Sequence, residues 1–239
     1  MDRARWCEAQ RPGPYNEGVA KSFGCRTTRR TCFAGGELAV QAGGIVLCGG
    51  RSQRMGRSKA LLPFGTESML QRVVRLLGQA VDLLVVAAAE DQPLPPLPTP
   101  VQVVRDRRPD RGPLEGLAAG LAALAGRAEV AFVTGCDVPL LVPAFVRRVV
   151  ELVRGYDVAV PHVDGWDEPL AAAYRVDLLP RVESLLEANR LRPAFLFQQV
   201  HTRRIDPSEL VEVDPELSSL ANVNTPEDYR AALAKARLA

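Results

Sequence analysis

Two stretches of this sequence have the residue types and spacing to do chemistry on a polyphosphate. The first runs Gly43-Gly44-Ile45-Val46-Leu47-Cys48-Gly49-Gly50-Arg51-Ser52-Gln53-Arg54-Met55-Gly56-Arg57-Ser58-Lys59-Ala60-Leu61-Leu62. A short apolar run reads as a buried strand and opens directly into a glycine- and arginine-rich loop. Gly49 and Gly50 let the backbone pass close to a ligand. Arg51, Arg54, Arg57 and Lys59 crowd positive charge beside exposed backbone N–H groups, which suits a chain of phosphates. The spacing is neither Gly-x-Gly-x-x-Gly nor the P-loop pattern, which excludes the common dinucleotide and P-loop readings. The second stretch is Val130–Thr134, an apolar strand, followed by Asp137. A carboxylate just past a strand sits at the carboxyl edge of an open α/β sheet, where ligands bind. There it is a reasonable Mg²⁺ ligand, since Mg²⁺ takes few carboxylates and completes its shell with phosphate oxygens. Taken alone, Asp137 is more safely read as a turn-forming or N-capping residue ahead of Pro139.

The elements that must position these residues alternate along the chain. Strands are expected at Gly44–Leu47, Leu83–Ala88, Val101–Val104, Val130–Thr134, Val158–Val160, Pro169–Tyr174 and, at the sheet edge, Thr202–Ile205. Apolar runs without polar alternation suit strands covered on both faces. Helices are expected at Ser68–Leu77 capped by Thr66, at Leu114–Leu124, from Pro143, at Leu178–Ala188, at Pro193–Gln199 and from Thr225. Asp91–Pro100 reads as a proline-rich connector and His162–Glu168 as a polar turn. Strands alternating with helices give an α/β fold with a mainly parallel sheet and helices on both faces.

At 239 residues and 47% hydrophobic, the chain can bury a full core in one domain. Residues 1–42 lack periodicity and read as a disordered extension, leaving 43–239 as the domain. A formal charge of +2 and few aromatic residues argue against a nucleic-acid binder. No apolar run reaches membrane-spanning length. Five cysteines without a C-x-x-C pair, and two distant histidines, point to reduced thiols in a cytoplasm and away from structural zinc.

The segment Leu47-Cys48-Gly49-Gly50-x-Ser52-x-Arg54-Met55-Gly56-x-x-Lys59-Ala60-Leu61-Leu62 resembles the signature of the sugar-nucleotidyltransferase-like enzymes. Within them it is most similar to the molybdenum cofactor guanylyltransferases of the MobA-like family. Cys48 stands where alanine is common and Ser58 where aspartate often precedes the lysine. Gly135-Cys136-Asp137-Val138-Pro139-Leu140 matches the family's metal-binding motif, which implies Asp137 as the Mg²⁺ ligand. The segment from Arg105 to Leu117 resembles the one whose aspartate contacts the nucleoside; Asp106 is the candidate and Asp110 its competitor. Asn222-Val223-Asn224-Thr225-Pro226-Glu227-Asp228 resembles the closing motif, in which Asn222 and Asn224 face the site while Thr225 caps a helix. The loop residues Leu47, Cys48, Gly49 and Gly50 would read the base through backbone atoms.

The resemblance spans residues 43–235 and implies one Rossmann-like, three-layer nucleotidyltransferase domain. The implied reaction transfers GMP from GTP to the phosphate of the molybdenum–molybdopterin cofactor. Asp137 would hold Mg²⁺, and Lys59 and Arg54 would stabilise the departing pyrophosphate. Gly165–Leu170, with Trp166, falls where related enzymes carry acceptor-side residues and reads at least as well as an exposed hairpin; Arg190 and Arg192 read either as acceptor-phosphate ligands or as plain helix-end charges. Transient partners would be cofactor-insertion proteins or molybdoenzyme chaperones. Competing readings are a cytidylyltransferase on the same pterin, a sugar-phosphate nucleotidyltransferase, and a non-catalytic nucleotide-binding protein.

Overall fold

The computed structural model describes residues 41–48, 58–98, 100–106, 108 and 111–237. Its chain order is β1 (Ala42–Leu47), β2 (Pro63–Phe64), β3 (Glu67–Ser68), α1 (Met69–Leu77), β4 (Leu83–Ala88), β5 (Val101–Arg105), α2 (Pro113–Leu124), β6 (Val130–Gly135), α3 (Pro143–Leu152), β7 (Val158–Val163), β8 (Trp166–Asp167), β9 (Ala171–Arg175), α4 (Leu179–Glu187), α5 (Ala194–Phe197), β10 (Thr202–Ile205) and α6 (Pro226–Lys235). The main sheet runs β10-β7-β9-β6-β1-β4-β5, with β8 paired to β7. Pairings of β1 with β4 and β6, of β4 with β5 and of β10 with β7 are parallel. Strand β9 lies antiparallel between β6 and β7.

The apolar runs read from the sequence explain why the sheet is buried on both sides. Val46, Val86 and Phe132 face one layer with α1 and α3. Ile45, Val85 and Val133 face the other with α2 and α4. Adjacent residues of one strand thus feed opposite cores, as a period of two requires. Glycine lets the helices close on β1: a Cβ at Gly44 would fall 2.6 Å from Leu77, and one at Gly120 would fall 2.6 Å from Ile45. The expected three-layer α/β architecture with a mainly parallel, mixed sheet is the one observed.

Several boundaries differ from the sequence expectation, each for a local reason. Thr66 is not the cap of α1. It sits in the turn of the β2–β3 hairpin, and Ser68 caps the helix through a box in which the Gln71 N–H donates to Ser68 Oγ and the Ser68 N–H to Gln71 Oε1. His162–Glu168 is not a plain turn: β7 continues through Val163, and Asp164 and Gly165, with φ of 51° and 84°, turn the chain into β8. Of the expected extension over 1–42, Gln41 and Ala42 belong to the sheet, since Ala42 opens β1 and the Gln41 carbonyl accepts from the Glu129 N–H at 2.9 Å. The rest lies outside the described residues.

Candidate functional site

The carboxyl ends of β1, β4, β5 and β6 deliver Cys48, Ala89, Asp106 and Cys136-Asp137 to one edge. The turns there are pinned by backbone bonds. Cys48 N–H donates to Ala87 O at 2.8 Å, Asp106 N–H to Ala88 O at 3.0 Å, and Cys136 N–H to Leu47 O at 3.0 Å. These bonds prolong the parallel ladder by one residue past each strand, so the side chains that follow take fixed positions.

At this edge Lys59 opens a short helical turn, Lys59–Leu61. Its ammonium donates to Asp137 Oδ2 at 2.9 Å and to Asn224 Oδ1 at 2.8 Å. The three residues are separated by 78 and 165 positions in the chain. The side chains of Lys59 and Asp137 are only 15% and 22% exposed, so the pair is shielded without being sealed. A cation thus already rests between a carboxylate oxygen and an amide oxygen. Gly135 is needed here because a Cβ on it would collide with Asp137 Oδ1.

The supports of this cluster come from distant parts of the chain. Val223 N–H donates to the Asp137 carbonyl at 2.8 Å, which docks the segment between the last short helical turn and α6 against the turn that carries Asp137. Val223 is buried while Asn222 and Asn224 are both exposed, the alternation expected of that motif. Of the two asparagines, Asn224 joins the Lys59 network. Asp228 holds it there: its Oδ2 accepts from the N–H groups of Asn224 at 2.9 Å and Thr225 at 2.8 Å, while Thr225 Oγ1 accepts from Asp228 N–H. Those backbone donors hold the Asp228 carboxyl below the ordinary aspartate range. Arg72, whose Nε donates to Pro139 O at 2.7 Å, braces the loop from α1. On the opposite side Ser219 Oγ accepts from Val142 N–H at 2.9 Å. In the sequence Asp228 stands only as the last residue of the closing motif, and its reach back to Asn224 is a finding of the structure. Arg72 and Ser219 carried no comparable signal.

Asp106 stands at the end of β5 with Oδ1 buried and without a hydrogen-bond partner among the described residues. Burial, with Glu115 adding like charge, pushes its carboxyl above the ordinary aspartate value. An unsatisfied acceptor at a ligand edge is a binding point held open. Gly116 of α2 makes room: a Cβ there would lie 3.0 Å from Leu47 and 3.6 Å from Asp106 Oδ1. Leu47 and Cys48 are buried at the stem of the loop. The neighbouring Cys136 thiol and burial push the Cys48 thiol up. Gly49, Gly50, Arg54 and Asp110 lie outside the described residues.

The β7–β8 hairpin, the segment expected to face the acceptor, carries Trp166, 75% exposed. Asp167 is held by His162 Nδ1 at 2.7 Å and by a fork of Arg204 at 3.0 and 3.1 Å. Arg190 stacks over Phe195 at 5.1 Å, so one of the two candidate acceptor arginines has a packing role.

This sheet and its edge define an α/β nucleotidyltransferase fold. A molybdopterin-guanine dinucleotide biosynthesis protein A from Archaeoglobus fulgidus superposes with a TM-score of 0.69 at 19% identity, covering 82% of this chain and 98% of that one. A 2-C-methyl-D-erythritol 4-phosphate cytidylyltransferase from Thermus thermophilus gives 0.60 at 17%, covering 81% and 98%. Residues 44–202 match the MobA-like NTP transferase domain, and the chain belongs to that family. Among its relatives, a "Probable molybdenum cofactor guanylyltransferase" of Mycobacterium ulcerans is 40% identical over 200 residues, 81% of this chain and 94% of that protein. A protein of the same name from Carboxydothermus hydrogenoformans is 37% identical over 185 residues, 77% and 91%.

Proposed function

We propose that this chain transfers GMP from GTP to the phosphate of molybdenum–molybdopterin, releasing pyrophosphate and forming the guanine dinucleotide cofactor. The observation that carries the reading is the Lys59–Asp137–Asn224 cluster, which sits at the sheet edge beside the glycine-loop stem. The relatives' names supply the substrates.

The residues fit Mg²⁺. Asp137 Oδ2 and Asn224 Oδ1 are hard oxygen donors that already flank a cation, and no cluster of three metal-ligating side chains occurs among the described residues. Mg²⁺ suits one or two protein oxygens completed by phosphate and water. When bound, it neutralises charge on the phosphate oxygens. The remaining work falls to the protein. A phosphate oxygen of the acceptor attacks the α-phosphorus in line, the α–β bridging bond breaks, and pyrophosphate leaves. The attacking oxygen is already anionic, so no general base is required, and catalysis reduces to positioning and charge stabilisation. Lys59 moves from Asp137 to the β- and γ-phosphates, joined by Arg54. Asp106 accepts a hydrogen bond from the nucleoside, which satisfies its open oxygen. Asp228 and Arg72 keep Asn224 and the Asp137 loop in register while Lys59 moves.

Thermal shifts with GTP, CTP, ATP and dTTP, each with Mg²⁺, test the nucleotide. A ligand at a hundredfold excess over its Kd adds about 2.7 kcal/mol to the native state. A shift with GTP alone, followed by pyrophosphate release when the pterin acceptor is added, is the expected result. A CTP-only shift moves the assignment to a cytidylyltransferase. Binding without turnover assigns a non-catalytic nucleotide-binding protein.

A further inference from the structure

We propose that Cys48 and Cys136 are an oxidisable dithiol, and that the disulfide they form closes the nucleotide edge of this fold. Leu47 and Gly135 are register partners in the parallel β1–β6 pair, and the two cysteines are the next residue of each strand. The bonds from Cys48 N–H to Ala87 O and from Cys136 N–H to Leu47 O keep both residues in the plane of the sheet. Parallel neighbours lie about 4.8 Å apart, within the roughly 4.4–6.8 Å Cα separation that a disulfide spans. Both side chains enter the layer that holds α1 and α3 and belong to the same buried cluster. Both are free thiols, 4% and 7% exposed. Nothing has to unfold for the sulfurs to meet; side-chain rotation suffices.

The position gives the bond its consequence, and that consequence rests on the function proposed above. Cys48 is followed by the glycine loop and Cys136 by Asp137. A covalent tie between the two turns would lock their spacing, and with it the Asp137 turn, in the arrangement that holds the carboxylate 2.9 Å from Lys59, so that Lys59 is kept from the phosphates. A peroxide supplies the oxidant. One thiol is oxidised to a sulfenic acid with release of water; the second thiol attacks that sulfur, the S–S bond forms and a second water leaves. A thiol reductant reverses it. Burial makes the reaction slow, on the scale of minutes to hours.

The test uses the full chain, treated with hydrogen peroxide while circular dichroism confirms that it stays folded, then alkylated and mapped by tryptic digestion. The expected product is one peptide pair linking Cys48 to Cys136, released by dithiothreitol. Its appearance should lower GTP affinity at least tenfold in thermal-shift titrations, with recovery on reduction, and Cys136→Ala should be insensitive to peroxide. Recovery of the two cysteines separately alkylated, or joined to Cys7, Cys25 or Cys32, overturns the dithiol. A linked peptide with unchanged GTP affinity overturns the closure. If the reduced chain shows no GTP shift at all, the functional reading fails, while the mapping still decides the dithiol.

Discussion

Removing the Lys59 ammonium should strengthen divalent-metal binding to the nucleotide-free protein, even though it weakens GTP binding. The reason is competition. In the free protein the ammonium rests 2.9 Å from Asp137 Oδ2 and 2.8 Å from Asn224 Oδ1, on the two oxygens best suited to Mg²⁺. At an effective dielectric near 20 the gross attraction of such a pair is about 4 kcal/mol. Side-chain exposure of 15% and 22% leaves part of that screened. After desolvation, a net coupling of about 1–2 kcal/mol is the defensible figure. At about 1.4 kcal/mol per factor of ten, Lys59→Met should tighten Mg²⁺ or Mn²⁺ roughly 5- to 30-fold in the absence of nucleotide. The same change removes a charge-assisted hydrogen bond to phosphate worth about 1.5–3 kcal/mol, so GTP should weaken roughly 10- to 150-fold. Isothermal titration calorimetry with the metal alone, on wild type and variant, measures the first effect; Asp137→Asn is the control that should bind metal weakly in either background. Metal affinity unchanged or reduced in Lys59→Met would refute the competition. It would mean that the cation site is not shared and that the ion pair serves the fold alone.

Four further outcomes follow from the same geometry. Asp137→Asn should lower turnover by at least about a hundredfold, as loss of one preorganised charge-stabilising group does, while its circular dichroism stays native; near-normal turnover at saturating Mg²⁺ removes the metal role. Gly135→Ala should mimic it through the Cβ collision with the carboxylate, which a shift in Mg²⁺ dependence of the rate would report. Asp106→Asn should stabilise the free protein. Its carboxyl titrates above the ordinary aspartate value in the fold, so the folded state binds the proton more tightly than the unfolded chain. The cost is absent at pH below the ordinary value and grows as pH rises through the raised one. Discounted for partial exposure, the gain is about 1 kcal/mol, or about 2–4 °C in Tm at neutral pH, alongside weaker GTP binding; equal Tm curves at every pH refute it. Thr225→Ala should cost about 1 kcal/mol through the cap of α6 and raise the KM for GTP, because Asn224 loses its fixed frame; a loss of stability with unchanged KM would show that the cap does not support the site.

What the sequence revealed and what it hid divide along a physical line. Buried parallel strands announce themselves, because apolar runs such as Leu83–Ala88 and Val130–Thr134 have few other stable environments. Motifs whose residues are contiguous were legible for the same reason, so Lys59, Asp137 and the Asn222–Asp228 segment were all singled out. Short antiparallel pieces were not. The β2–β3 hairpin has two residues a side, and its Thr66 imitates a cap that Ser68 provides two residues later. The β7–β8 hairpin was legible only as one alternative, because polar residues on an exposed hairpin look like a loop; the positive φ of Asp164 and Gly165 shows the turn for what it is. The hardest features to read were contacts between distant positions. No local pattern says that Arg72 reaches Pro139, that Val223 binds the Asp137 carbonyl, or that Cys48 and Cys136 end neighbouring strands. Those contacts make the edge a site. They convert three separately recognisable motifs into one cluster in which a single lysine bridges Asp137 and Asn224.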